Sequence, residues 1–181
     1  MRAIRRITVV VSLALAAAAM GGCTGPASPP PPEPAPLFAS DEEAFAAAEA
    51  TYRAYVAASN RIDVGDPKSF EPVFDLTGGS LNAADRKTLA GMYADGYRTG
   101  GQMVIDKVVP REVSLLRGEV SLDVCLYVGD AYLYDVNGVS VVDAARNPFQ
   151  ALTVSFSPGL PGETVLRAIQ IEPSEELVEC G

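Results

Sequence analysis

The hydrophobic period of this chain changes once, from three-and-four to two, and that single change limits what it can fold into. Ser40-Asp41-Glu42-Glu43 reads as a capping box, in which the Ser40 hydroxyl and the Glu43 carboxylate each satisfy an orphan backbone amide. Phe45, Ala48, Tyr52, Tyr55, Val56 and Ser59 then recur at helical spacing, which predicts a helix to about Asn60. Asp66-Pro67 offers a second start, with Pro72 limiting the next segment to short turns, and Gly78-Gly79 breaks the chain. Asn82 is placed to cap a further helix, with Asp85 at its third position. Leu89, Met92, Tyr93, Gly96 and Tyr97 form its buried stripe, and Gly100-Gly101 ends it.

From Gln102 onward the period is two. Residues 102 to 109 and 111 to 117 read as extended, with Pro110 at a bulge or edge. In Glu119 to Val128, Val120, Leu122, Val124, Leu126 and Val128 take one face, and Ser121, Asp123, Cys125 and Tyr127 take the other. Asp135-Val136-Asn137-Gly138-Val139 is a hairpin signal, because Asn-Gly tolerates positive φ. Phe149 to Phe156 and Thr164 to Glu172 complete the strands. Helices first and an antiparallel meander after them is the pattern of an α+β fold with helices on one face of a sheet. No strand-helix-strand alternation and no Gly-rich phosphate loop occur, which disfavours a dinucleotide-binding fold.

Residues 1 to 22 carry Arg2, Arg5 and Arg6, an apolar run from Ile7 to Met20, and then small residues. A basic start before a short apolar run describes a secretory signal, too short for a comfortable membrane span. Met20-Gly21-Gly22-Cys23 resembles a bacterial lipobox, which makes Cys23 the expected site of diacylation, with palmitate-type chains, and the first mature residue. Two acyl chains hold a protein on a bilayer where one does so only marginally. The expected location is therefore the outer face of the cell membrane, with the membrane as a partner through the anchor. Residues 23 to 36 add a proline-rich linker, TGPASPPPPEPAP after the cysteine, that favours extended polyproline II of about 3.1 Å per residue. Residues 37 to 181 are the folded domain.

The whole chain has 14 basic and 23 acidic side chains, no His and no Trp; loss of residues 1 to 22 takes the net charge from −9 to −12. Phosphate backbones repel such a body, so nucleic acid is not expected as a partner. The lack of His removes Ser-His and Cys-His nucleophiles and His-ligated zinc or haem. No metal site is expected: Asp135, Asn137 and Gly138 mimic the middle of a calcium loop, but Leu133 and Ala144 occupy its two essential carboxylate positions. No cofactor is expected either.

The run VCLYVGDAYLYDVNGVSVVD, two further strands and the cysteine near the C-terminus resemble small secreted lipoproteins of the NTF2-like superfamily of high-GC Gram-positive bacteria. The matching positions are Cys125, Tyr134 to Gly138 and Cys180, together with the helical pair Tyr52 and Tyr55; Asp130-Ala131 departs from the pattern. The resemblance implies a cone in which helices pack on a curved antiparallel sheet, located outside the cytoplasm, and it implies no activity.

Of the 3 cysteines, lipidation of Cys23 leaves two. In an oxidising compartment Cys125 and Cys180 can pair, closing a loop of about 55 residues. Strand parity sets Asp123 and Tyr127 opposite the aliphatic row that meets the helices, so Asp123 is expected in solvent. Arg167 shares a predicted strand face with Val165, Ile169 and Ile171 and is a candidate for the mouth of the cone, alongside Tyr93 and Tyr97 from the helix. Their other reading is a rim arginine and two core aromatics. No catalytic residue is assigned, because the lining of the cone is expected to lack acid-base equipment. The chain is thus read as a non-enzymatic, membrane-anchored binding or interaction module for an envelope protein or a small ligand. The alternative is an isomerase- or dehydratase-type enzyme acting in the cavity.

Overall fold

The computed structural model describes residues 35–160, 164–174 and 180. The signal segment, the lipobox with Cys23 and nearly all of the proline-rich linker lie outside the described residues. Helices α1 (Asp41–Ser59), α2 (Glu71–Leu76) and α3 (Gly79–Ala94) precede six strands: β1 (Arg98–Gly100), β2 (Val104–Ser114), β3 (Glu119–Tyr127), β4 (Tyr132–Tyr134), β5 (Phe149–Pro158) and β6 (Leu166–Pro173). The main sheet is antiparallel in the order β2-β3-β5-β6, and β1 pairs separately with β4. The helices cover one face of the main sheet, so the chain has the α+β architecture that its periodicity predicts, in the arrangement an NTF2-like cone implies.

At the start of α1 the Ser40 hydroxyl accepts from the Glu43 amide, while the Glu43 carboxylate accepts from the Ala39 amide at 2.8 Å, one residue earlier than a strict capping box. Asp66 caps a short 3-10 turn, Pro67–Phe70, and Pro72 stands in the first turn of α2 rather than preventing a helix. Two boundaries of α3 differ from the sequence reading. The helix begins at Gly79, so Asn82 lies inside it; the Asn82 side-chain amide instead donates to the Phe74 carbonyl and the Thr77 hydroxyl, both at 2.9 Å, and ties α3 to α2. At the other end, Gly96 (φ 69°) sends its amide to the Tyr93 carbonyl and Tyr97 sends its amide to that of Met92. That Schellman motif stops the helix at Ala94, well before Gly100-Gly101.

The two extended runs predicted around Pro110 are one strand, β2, whose register slips at Pro110/Glu112 and again at Ile105/Lys107. A third bulge, at Ile169, interrupts the pairing of β6 with β5. Bulges add twist and bend to a sheet, and here they also re-aim side chains. The row Val120, Leu122, Val124, Leu126 and Val128 is buried against Tyr52, Val56, Val154 and Phe156. That core fills the face between sheet and helices.

The opposite face of β3 is buried as well, which corrects the expectation for Asp123. It is 8% exposed. The bulge at Arg111 brings the guanidinium to Asp123 Oδ2 at 3.1 Å, and Asp123 Oδ1 accepts from Thr153 at 2.7 Å and from Ser174. Beside it, the sulfurs of Cys125 and Cys180 are bonded at 2.02 Å with Cα atoms 5.6 Å apart. Ser174 and Cys180 therefore both sit on the outer face of the central strand. Strand parity places Asp123 on that face correctly, but it says nothing of the C-terminal residues that cover it.

Candidate functional site

Among the described residues, a cavity of about 370 Å³ with a mainly apolar lining opens beside α3. Its walls are α1 and the residues just after it, one side of α3, the short β1, and the segment running from β4 to Arg146. The main sheet does not line it, because the aliphatic core already occupies that face. The cavity belongs instead to the seam between the helices and the small β1–β4 pair.

The fit between β1 and the chain leading into β4 depends on glycine. Gly101 adopts φ 82°, and a Cβ there would overlap the Asp130 carbonyl oxygen; one on Gly100 would overlap the Tyr132 ring and hydroxyl. The pair read from sequence as a helix end is thus a close approach of two backbones. Gly101→Ala is expected to destabilise the domain by about 2 kcal/mol, from the left-handed backbone together with the clash, and to lower the thermal midpoint by several degrees in a melting curve. An unchanged midpoint would show that the wall can shift at no cost. Behind this wall Asn60 and Met103 exchange reciprocal bonds at 2.9 Å, fixing the end of α1 to the start of β2.

Polar groups are few in the lining. Three buried side-chain polar atoms lack a hydrogen-bond partner among the described residues: Asp85 Oδ2, Thr99 Oγ1 and Arg167 Nε. The first two border this cavity. Native interiors satisfy nearly all such groups, so two unpartnered atoms bordering one space leave hydrogen-bonding capacity there for water or a bound molecule. Burial, with no charged neighbour contributing, pushes the Asp85 carboxyl up from 3.8 to about 6. Across the cavity, burial and then the charge of Asp85 raise the Tyr55 hydroxyl to about 12, with Ser59 acting slightly in the other direction. Tyr55 thus stays protonated and able to donate at any physiological pH. The sequence reading sought acid-base equipment in the lining of the cone and did not single out Asp85, which lies in the seam beside it.

The remaining candidates lie elsewhere. Tyr93 is 51% exposed, and Tyr97, beyond the end of α3, borders a shallow depression with Lys87 and Val141. Neither lines the cavity: Tyr93 stands on the exposed side of the last turn of α3, and Tyr97 lies beyond the Schellman turn. Arg167 misses it too. The bulge at Ile169 puts Ile171 on the core side opposite Val154, while Arg167 pairs with Ser157, away from the core, and its stem lies beside Gly78 at the β6 edge. Tyr127 stacks edge-on against Phe149 and its hydroxyl reaches Asp130 at 3.3 Å. The Asp135 carboxylate, held below its usual range, accepts from the backbone amides of Val139 and Asn137, so the Asn-Gly turn accounts for those residues.

Asp85 escapes a reading of the sequence for an identifiable reason. As the third residue of a helix capped by Asn82, its charge is accounted for by the helix end. With the helix starting at Gly79, Leu81, Asp85, Leu89 and Met92 fall at spacings of four, four and three on the inward stripe, where a carboxylate has no structural excuse. Arg146 and Thr99 give no such signal, being brought to the cavity by a loop and a three-residue strand.

No family model matches the chain, and no curated protein does. Among solved structures, the chain is similar to a crystal structure from Xanthomonas campestris pv. campestris, a protein assigned only provisionally as a polyketide cyclase. The identity is 13%, over 72% of this chain and 93% of that one, with a TM-score of 0.35. With so loose a superposition, the description of the fold rests on the architecture itself.

Proposed function

We propose that this domain takes a small, largely apolar organic molecule into the seam cavity and that Asp85 accepts a proton from it, chemistry of the isomerase or dehydratase kind. The observation that supports this is the orphaned Oδ2 of Asp85, half-buried in a mainly apolar lining without a charged neighbour. A carboxylate titrating near 6 is mostly ionised at neutral pH, yet it is basic enough to take a proton from carbon or oxygen. Electron density left on the substrate can be received as an oxyanion by neutral donors of the same lining, the hydroxyls of Tyr55 and Thr99. Carbon-13 NMR of the Asp85 carboxyl is expected to give a titration midpoint near 6. A midpoint near 4 would mean water reaches the group freely, and the acid-base role would fall.

The same proposal has the domain outside the cytoplasmic membrane on an acyl anchor at Cys23, supported by the lipobox and by the proline-rich spacer behind it. Cys23→Ala is expected to release the mature chain from the membrane fraction or to leave the precursor uncleaved. Normal processing together with unchanged membrane retention would reject the anchor.

A further inference from the structure

The proton-accepting carboxylate is one of two charged groups on the cavity wall; the other is Arg146. Nη2 of Arg146 donates to both the Val128 and Ala131 carbonyls, which fixes the guanidinium against the segment entering β4. Its Nε–H and its other terminal nitrogen carry no hydrogen bond among the described residues, so three of its five donors remain unspent. No carboxylate of the described residues lies within salt-bridge distance of it. Asp143, which borders the depression on the far side of Arg146, commits its Oδ1 to the Ala145 amide. Asp85 lines the same cavity as Arg146 but is not paired with it, and burial alone accounts for the shift of its carboxyl. The cavity thus holds an unpaired carboxylate and an unpaired guanidinium that do not neutralise each other.

A partly buried charge set in an apolar wall is normally paired, because removing it from water costs far more than one hydrogen bond returns. Where the protein supplies no counter-charge, the ligand can. Both parallel edges of a guanidinium use Nη2, which is spent here, so the free Nε–H and Nη1 donors offer an anion charge-assisted single bonds. From this we infer that the molecule bound in the seam cavity is a small organic acid whose carboxylate is seated on Arg146, with an apolar body along Leu89 and Met92 and its reacting or hydrogen-bonding end at Asp85. The inference rests on the proposed use of the cavity and adds the chemical class of its occupant. It also assigns opposite ends of the ligand: the anion lies beside the β4 segment, and the proton donor lies at α3. The carboxylate of the ligand is thereby kept away from that of Asp85, so the two acids do not repel at close range.

The test compares two probes of equal length and ring, 3-phenylpropanoate and 3-phenylpropan-1-ol, by titration calorimetry at pH 7.5 on the chain with its Cys125–Cys180 bond intact. The acid is expected to bind at least about tenfold tighter than the alcohol, as a charge-assisted contact replaces a neutral one. Arg146→Gln should bring the two probes within about twofold of each other, and Arg146→Lys should keep part of the preference because it keeps the charge. Should Arg146→Gln fail to fold through loss of its carbonyl contacts, the ratio on the unaltered chain and on Arg146→Lys still decides. If acid and alcohol bind the unaltered chain equally, the seat on Arg146 is wrong while the cavity reading stands. Preference surviving in Arg146→Gln would likewise overturn the seat. If neither probe binds at millimolar concentration, the seat and the cavity reading fall together.

Discussion

Reduction of the Cys125–Cys180 bond, or Cys180→Ser, is expected to cost this domain about 4 kcal/mol of stability. The bond joins residues 55 apart, and the chain-entropy cost of closing a loop of that size gives about this value. Two features keep the expectation near that figure. Cys125 is fully buried on the outer face of β3, where Cys180 is bonded to it. Ser174, on the same side of the bond, supplies one of the hydroxyls that satisfy Asp123. Losing the tether therefore weakens the cover over a buried carboxylate as well as freeing the unfolded chain. For an m-value of about 2 kcal/mol/M, the urea midpoint should drop by about 2 M on adding reductant. A midpoint that ignores the reductant would mean that the outer face is held without the covalent link.

Asp85→Asn is expected to raise stability and to slow proton transfer at once. The carboxyl of Asp85 is raised from 3.8 to about 6 in the folded chain. Below pH about 3.8 both folded and unfolded chains hold the proton, and Asp85 costs nothing. As the pH rises from there towards 6, the unfolded chain gives up its proton first, so stability falls; above about 6 the penalty is complete. A shift of two units corresponds to about 3 kcal/mol, which partial solvation of the group reduces to about 1. Asparagine carries no such penalty. The variant should melt about 2 to 4 °C higher at pH 7.5 and at nearly the same temperature as the parent at pH 4.

Its chemical consequence runs in the opposite direction. The ring of 5-nitrobenzisoxazole opens when a base removes its carbon-bound proton: the freed electron pair forms a nitrile, the N–O bond breaks, and a coloured phenolate is released. Asp85 in its half-buried setting should promote this opening with a pH midpoint near 6, and Asp85→Asn should slow it by about a hundredfold. A variant that is neither more stable at pH 7.5 nor slower would show Asp85 to be an ordinary solvated carboxylate. A variant that is more stable but no slower would keep the burial and remove the chemistry.

The parts of the fold that can be read from the chain are those set by neighbours close in sequence. Ser40 and Glu43 announce the start of α1, and the alternation from Val120 to Val128 identifies the central strand and its inward face. Expectation and structure part where a local signal has two solutions. Asn82 can cap a helix or brace one, and the choice depends on Phe74 and Thr77, which it reaches only after α2 and α3 have packed. Gly100-Gly101 can end a helix or admit a neighbouring backbone, and Asp130 decides it. Simple parity puts Arg167 on the face of Ile169 and Ile171, and one bulge at Ile169 reverses that placement.

Periodicity, capping and cysteine number are properties of the chain alone, so the sequence determined the helix-then-sheet order, the inward face of β3 and the pair of cysteines left after Cys23. The solvation of each charged side chain was settled only in three dimensions. Asp123 and Asp85 are both acids in a polar-looking context, yet one is buried with Arg111, Thr153 and Ser174 around it, and the other faces a cavity with an oxygen unpaired. The cost of a charge depends on which distant groups enclose it: Arg111 at its bulge, Thr153 and Ser174 for Asp123, and the seam bordered by α3, β1 and β4 for Asp85.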